Sequence, residues 1–240
     1  MVFATTLLSV VALAVGGTSA LFLTSGDFTF PNMTMAETNG LAARGVQGTG
    51  QGTFDGFFWQ NFVSSSSFDV IFTNIAGGQY EVQWEGSGDF VVGQGFNPGT
   101  TNRVMTFSAS WEPNPASASI LSVYGWSTNP LVEYYINEEA NDFNIGTANP
   151  GTTHKGTVVS DGSTYDIYEH QQVNQPSIQG TATFQQYLSV RQNKRTSGTV
   201  TVQNHINAWK ALGMNLGTMN LQIMAVEGLS SSGQATVTVS

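Results

Sequence analysis

The chain has 240 residues, 40% of them hydrophobic, enough for one sizeable core. Sixteen Asp and Glu outnumber seven Lys and Arg for a net charge of −9, which argues against a nucleic-acid partner or attachment to an anionic membrane; the only basic cluster is Arg191, Lys194 and Arg195. Cysteine is absent, which excludes thiolate catalysis and thiolate metal sites, and His154, His170 and His205 lie far apart without ligand spacing, so neither metal nor cofactor is expected.

In chain order, the first feature is an apolar run from Leu7 to Val15 followed by the small residues Gly16 to Ala20, which predicts a signal peptide over 1–20 and a secreted, extracellular protein. The run is too short to span a bilayer, and no Lys or Arg precedes it. Residues 21–44 lack periodicity and end at Arg44; they read as a pro-segment that contains the sequon Asn32-Met33-Thr34. From 45 to 240 no linker interrupts the pattern, and this stretch is expected to be one catalytic domain. Twenty-seven glycines among many Thr, Ser, Val and aromatic residues predict an all-β fold rich in turns.

Strands are expected at 56–63, 67–74, 79–85, 89–92, 103–111, 119–126 and 132–137. Further strands follow at 156–159, 164–172, 181–191, 198–202, 219–227 and 234–239. Turns are marked by Ala76-Gly77-Gly78, Asn97-Pro98-Gly99 and Ser160-Asp161-Gly162-Ser163. One helix is expected over 204–212, with Ile206, Trp209 and Leu212 on one stripe and Gly213 as its C-terminal cap; it reads as structural, packed on the back of a sheet.

Two of these strands carry the candidate chemistry. Glu133 and Glu227 each sit inside an apolar run of a chain that is only 10% charged. Burial raises a carboxyl pKa, and two neighbouring carboxyls push their values apart, which supplies one nucleophile and one proton donor. Alternation puts Glu133 on one face with Tyr135, and Glu227 on one face with Ala225, Ile223 and Leu221. A curved double sheet can then bring both acids to a cleft lined by Tyr124, Trp126 and Trp59.

Several segments in order give this reading a family. They are Val123-Tyr124-Gly125-Trp126, Asn129-Pro130-Leu131-Val132-Glu133-Tyr134-Tyr135, Ser160-Asp161-Gly162-Ser163-Thr164-Tyr165-Asp166-Ile167-Tyr168, Gln175-Pro176-Ser177-Ile178-Gln179-Gly180-Thr181, Asn204-His205-Ile206-Asn207-Ala208-Trp209 and Val226-Glu227-Gly228. From about Gly52 to Ser240 the chain resembles a glycoside hydrolase family 11 endo-β-1,4-xylanase. The resemblance implies a β-jelly roll of two curled, mostly antiparallel sheets with one short α-helix, acting on xylan; a monomer is expected of an endo-acting enzyme that must approach a long polymer.

It makes Glu133 the nucleophile and Glu227 the general acid/base of a retaining reaction, which needs the carboxyls about 5–5.5 Å apart. Tyr124 and Tyr135 match tyrosines that hold the nucleophile and nearby sugar, and Gln186 matches a substrate-contacting glutamine. Pro176 matches the tip of a thumb loop over the cleft, and Trp59 a platform for a xylose ring. Asp89 falls beside the acid/base, where Asp accompanies acidic pH optima; a carboxyl coupled to Glu227 holds a proton between them.

Some positions depart from the family. Gln172 stands where an Arg reaches into the cleft, Leu221 where a Tyr faces substrate, and Leu229 where an aromatic is common. Leu188 and Phe96 occupy positions of Trp, and Asp55 and Gly56 positions of groove tyrosines. Two alternatives therefore stand beside xylan hydrolysis. One is a catalytically weak jelly-roll protein that binds cell-wall polysaccharide or is perceived by a host; the other is a β-glucan hydrolase, disfavoured by the thumb segment around Pro176.

Overall fold

The computed structural model describes residues 45–240. The expected signal peptide, pro-segment and Asn32 sequon lie outside the described residues. Strands β1 (Gly45–Gln47), β2 (Gly50–Phe54), β3 (Phe57–Val63), β4 (Phe68–Ile75), β5 (Gln79–Gly86), β6 (Asp89–Phe96) and β7 (Val104–Pro113) come first. They are followed by β8 (Ser119–Thr128), β9 (Val132–Asn141), β10 (Thr153–Ser160), β11 (Ser163–Ser177), β12 (Gly180–Arg191) and β13 (Ser197–Thr201). Helix α1 (Val202–Ala211) precedes β14 (Thr218–Leu229) and β15 (Ser232–Val239).

The strands form a six-stranded sheet, β1-β4-β5-β15-β7-β13, and a nine-stranded sheet, β10-β11-β12-β9-β8-β14-β6-β3-β2. The pairing between β12 and β9 is parallel, in an otherwise antiparallel jelly roll with one short helix, the expected class. Each expected strand is present, several of them longer. Two strands are additions: β1, and β2, whose Gly50-Gln51-Gly52-Thr53 has no apolar alternation and becomes a strand by pairing with β3. Val202 opens the helix instead of closing β13.

Period-2 alternation sorts the nine-stranded sheet into two apolar faces. Phe90, Val92, Val123, Tyr134, Ile136, Met224 and Val226 meet Phe72, Tyr80, Val82 and Trp84 in the core between the sheets. Their neighbours Val91, Ile120, Tyr124, Trp126, Tyr135, Ile223 and Ala225 form a second cluster on the opposite, concave face. Each large side chain in the inner core contributes on the order of 1.5–3 kcal/mol by leaving water. The concave face curls so tightly that a Cβ on Gly93 or Gly95 would run into the carbonyl oxygens of Met224 and Gln222.

The helix braces this sheet from behind. Trp209 is fully buried and lies 5.8 Å from the Tyr134 ring of β9 and 6.2 Å from the Tyr187 ring of β12. Gly213, at φ +81, ends the helix in the left-handed conformation that glycine adopts without strain. At the far end of β9, buried Glu138 accepts hydrogen bonds from Arg195 Nε at 2.5 Å and Tyr165 Oη at 2.7 Å, which ties that strand to β11 and to the loop after β12.

Candidate active site

The concave face opens into a cleft of about 850 Å³ lined by Glu133, Glu227, Asp89, Tyr124, Trp126, Tyr135, Gln186 and Pro176, among others. Glu133 and Glu227 thus share one face and one cavity. On the central strand β8, Glu133 lies opposite Trp126 and Glu227 opposite Ile120, so the two acids sit diagonally across β8 on a sheet that curls inward. Each is only 8% exposed.

Three neutral donors surround Glu133. Tyr124 Oη donates to Oε1 at 2.8 Å and Tyr135 Oη to the same atom at 3.3 Å, while Gln186 Nε2 donates to Oε2 at 2.7 Å. Register explains the set: Tyr124 and Tyr135 are cross-strand partners, and Gln186 lies directly opposite Glu133 in the parallel pairing. Trp126 Nε1 donates to Tyr124 Oη at 2.6 Å and so orients that hydroxyl's proton toward the carboxylate. Burial raises the Glu133 pKa, and the bonds from Gln186, Tyr124 and Tyr135 pull it back. The net direction is upward, while the bonds on both oxygens favour the ionised form.

Glu227 lives under the opposite rule. Its Oε2 is buried without a hydrogen-bond partner. Burial lifts its pKa well above the usual carboxylate range, and the charges of Asp89 and Glu133 lift it further. Asp89 lies opposite Leu229, two residues beyond Glu227 on β14, and therefore faces Glu227 diagonally on the same side of the sheet. Its backbone is anchored by Ser64 Oγ, which accepts from the Asp89 N–H at 2.7 Å. Burial, then the charge of Glu133, pushes the Asp89 carboxyl up to about 7. Glu133 accepts three hydrogen bonds that favour its ionised form, whereas Asp89 Oδ1 and Glu227 Oε2 accept none, which biases the two sides of the cleft toward opposite roles.

Gln186 also orients itself. Because its amide nitrogen is committed to Glu133, its buried Oε1 is an acceptor without a protein partner, available to a ligand hydroxyl. Pro176 lines the cleft from the tip of the β11–β12 hairpin, where Ser177 Oγ donates to the Gly180 carbonyl at 2.6 Å and accepts from the Gln179 N–H at 3.0 Å.

Trp59 is a correction. It faces the inter-sheet core, 5.9 Å from the Phe72 ring, because β3 directs Phe57, Trp59 and Val63 inward. Alternation turns Gln60 and Phe62 to the cleft instead, and Phe62 offers the aromatic face at that wall. The run Phe57-Phe58-Trp59 offers apolar residues to either face, and a one-residue change of register exchanges Trp59 for its neighbours. Thr49, Gly50 and Gln51, beside and in the unanticipated β2, complete that wall. Asp55 and Gly56 form the β2–β3 turn, outside the cleft lining, where Asp55 Oδ2 accepts from the Gly77 N–H at 2.6 Å. Gln172 and Leu229 do line the cleft. Leu188 and Leu221 are buried beneath it, and Phe96 turns to the core under the Arg103 guanidinium at 3.5 Å. Among the described residues, no group of three or more His, Asp or Glu is placed to hold a metal ion.

A cleft with two buried glutamates, one ringed by hydrogen-bond donors and one beside a second acid, with a hairpin tip in its wall and a curled jelly roll beneath, defines a glycoside hydrolase. Residues 54–238 match the model for glycosyl hydrolases family 11, and the chain belongs to that family. It is similar to endo-1,4-beta-xylanase 2 of Rhizopus oryzae, 53% identical over 204 residues, which span 84% of this chain and 90% of that protein. It is also similar to ethylene-inducing xylanase 1 of Botryotinia fuckeliana, 55% identical over 190 residues; that match spans 78% of this chain and 64% of the relative, under two thirds of its length. A solved structure from a comparison of two major endo-1,4-beta-xylanases of Trichoderma reesei superposes with a TM-score of 0.66 at 46% identity, covering 83% of this chain and 99% of that one.

Proposed function

We propose that this glycoside hydrolase is a secreted endo-1,4-β-xylanase that cleaves internal xylosidic bonds with retention of configuration. The observation that carries the reading is the unequal surroundings of the two glutamates: Glu133 accepts three hydrogen bonds, whereas Glu227 sits beside Asp89 with an oxygen unpartnered. In the first step the Glu133 carboxylate attacks the anomeric carbon as the glycosidic C–O bond breaks, and the Glu227 proton passes to the leaving oxygen. Glu227, now ionised, then takes a proton from water, whose oxygen displaces Glu133 from the sugar. Tyr124 and Tyr135 hold the attacking oxygen in place, and Gln186 Oε1 accepts from a sugar hydroxyl. Phe62, in place of Trp59, offers the stacking surface, and Pro176 covers the bound chain. A cleft on the concave face of the sheet suits an internal bond of a long polymer, approached by a monomer.

Asp89 sets the working pH. Once Glu227 has given up its proton, a neutral Asp89 can donate a hydrogen bond to the new carboxylate, whereas an ionised Asp89 would place two anions side by side. The working form therefore requires Asp89 protonated and Glu133 ionised, which confines activity to the acid side of neutrality.

The test is release of reducing sugar from xylan by the purified protein beside Glu133→Gln and Glu227→Gln. Both variants are expected to lose at least about a thousand-fold in kcat, and the first sugar released should carry the β configuration by proton NMR. Binding of xylan without turnover, or an α first product, would sink the proposal. A second reading, perception by a host, is favoured by the names of two relatives as ethylene-inducing xylanases. Ethylene production in plant tissue that survives loss of both glutamates would support it.

A further inference from the structure

Phe143 and Asn149 line the cleft with no part in the steps above. Both come from the loop 142–152, which joins β9 to β10. The loop is firmly built. At its root, Asn141 Nδ2 donates to the Asn114 and Ser117 carbonyls at 3.0 and 2.8 Å. Ile145 is buried in the apolar cluster of the concave face, Gly146 lies against the Tyr168 ring, and Asn144 Oδ1 accepts from the Gly146 N–H at 2.9 Å. Asn149-Pro150-Gly151-Thr152 is a turn with Gly151 at φ +85. Its Asn149 carbonyl accepts from the Thr152 N–H at 3.2 Å and from Thr152 Oγ1 at 2.8 Å. That hydroxyl, its proton committed, accepts from His170 Nδ1 of β11 at 3.3 Å. Phe143 packs on the same apolar cluster and stays half-buried at the surface of the cleft.

Register places this loop on the acid/base side. Along β8, Glu133 lies opposite Trp126 and Glu227 opposite Ile120; Ile120 in turn lies opposite Ala140, where β9 is about to leave for the loop. The nucleophile attacks from the side opposite the leaving group. The path from Glu133 through the anomeric carbon to the leaving oxygen therefore runs from the Trp126 end of β8 toward its Ile120 end. The departing sugars lie toward Ala140 and the loop beyond it. We infer that Phe143 and Asn149 form a subsite for the departing, reducing-end part of the polymer, with Phe143 stacking on a sugar ring and the Asn149 amide bonding its hydroxyls. This rests on the xylan reading above and assigns the leaving-group side of the same cleft. An aromatic face covers the C–H face of a neutral sugar, and an amide both donates to and accepts from its rim of hydroxyls. Phe62 stands at the other end of the cross-strand row Phe62, Val91, Glu227, Ile120 and Ala140, so aromatic surfaces flank Glu227 on both sides.

The experiment compares two substrates opened by the same nucleophile. β-Xylobiosyl fluoride has a single-atom leaving group and no sugar on the departing side, whereas xylopentaose places sugars on both sides. Phe143→Ala is expected to lose about ten-fold more kcat/KM on xylopentaose than on the fluoride, and Asn149→Ala about five-fold more. With xylopentaose labelled at its reducing end, both variants should move cleavage toward that end, because binding positions that place fewer sugars on the weakened subsite become favoured. Asn149 stands in a surface turn, so Asn149→Ala carries the test if urea midpoints show that Phe143→Ala unfolds. Equal losses on the two substrates, as a purely structural role would give, or an unshifted cleavage site would overturn the inference. A wild-type protein that releases fluoride yet leaves xylopentaose intact puts the xylanase reading at fault. One that cleaves both, beside variants that lose equally on each, sinks the leaving-side subsite alone.

Discussion

Replacing Asp89 by Asn removes one proton from the site and should be visible in both rate and stability. In the native protein the Asp89 carboxyl is raised to about 7 from an ordinary 3.8. The native state therefore holds a proton that the unfolded chain releases, and stability falls as pH rises from about 4 through about 7. A shift of this size corresponds to an upper limit of about 4 kcal/mol. Asn donates a hydrogen bond to Glu227 at every pH, so the variant loses this part of the pH dependence and gains stability relative to the native protein between pH 4 and pH 7. The same constancy acts on the rate: ionisation of Asp89 no longer silences the site, and the alkaline limb of kcat moves up by about one pH unit or more. The measurements are kcat against pH on a linear xylose oligosaccharide and urea midpoints at both pH values, for both proteins. An alkaline limb that stays in place or moves toward acid would refute the reasoning.

Three further outcomes follow from the same geometry. Tyr124→Phe removes the 2.8 Å donor to Glu133, which should raise the pKa of Glu133, move the acid limb of kcat/KM upward and reduce kcat about ten- to a hundred-fold, read from pH–rate profiles. Phe62→Ala should raise KM with little change in urea midpoint, whereas Trp59→Ala, which empties a core position beside Phe72, should cost about 3 kcal/mol with a smaller effect on KM. Arg195→Met leaves Glu138, which is fully buried, without its nearest cation; about 3 kcal/mol is lost at neutral pH and less in acid, where Glu138 takes up a proton, as denaturant melts at pH 4 and pH 7 will show.

Alternating apolar residues determined the faces of β8, β9 and β14 from the sequence alone, because a strand directs successive side chains to opposite sides whatever it packs against. Glu133, Glu227, Tyr124 and Tyr135 were legible for that reason, as was the helix from its 3.6-residue stripe and Gly213. Trp59 was not: an all-aromatic run, Phe57-Phe58-Trp59, offers apolar residues to both faces, and only the pairing of β3 with β6 fixes which of them sees the core. The wall formed by β2 was equally hidden, since a glycine-rich strand carries no pattern of its own. What the tertiary structure decided was proximity. Asp89, Glu133, Gln186 and Glu227 come from four strands, and the register and inward curl of one sheet set which of them donates to Glu133 and which lies beside Glu227. Pairing geometry of that kind depends on hydrogen bonds between segments far apart in the chain, which no local run of residues encodes.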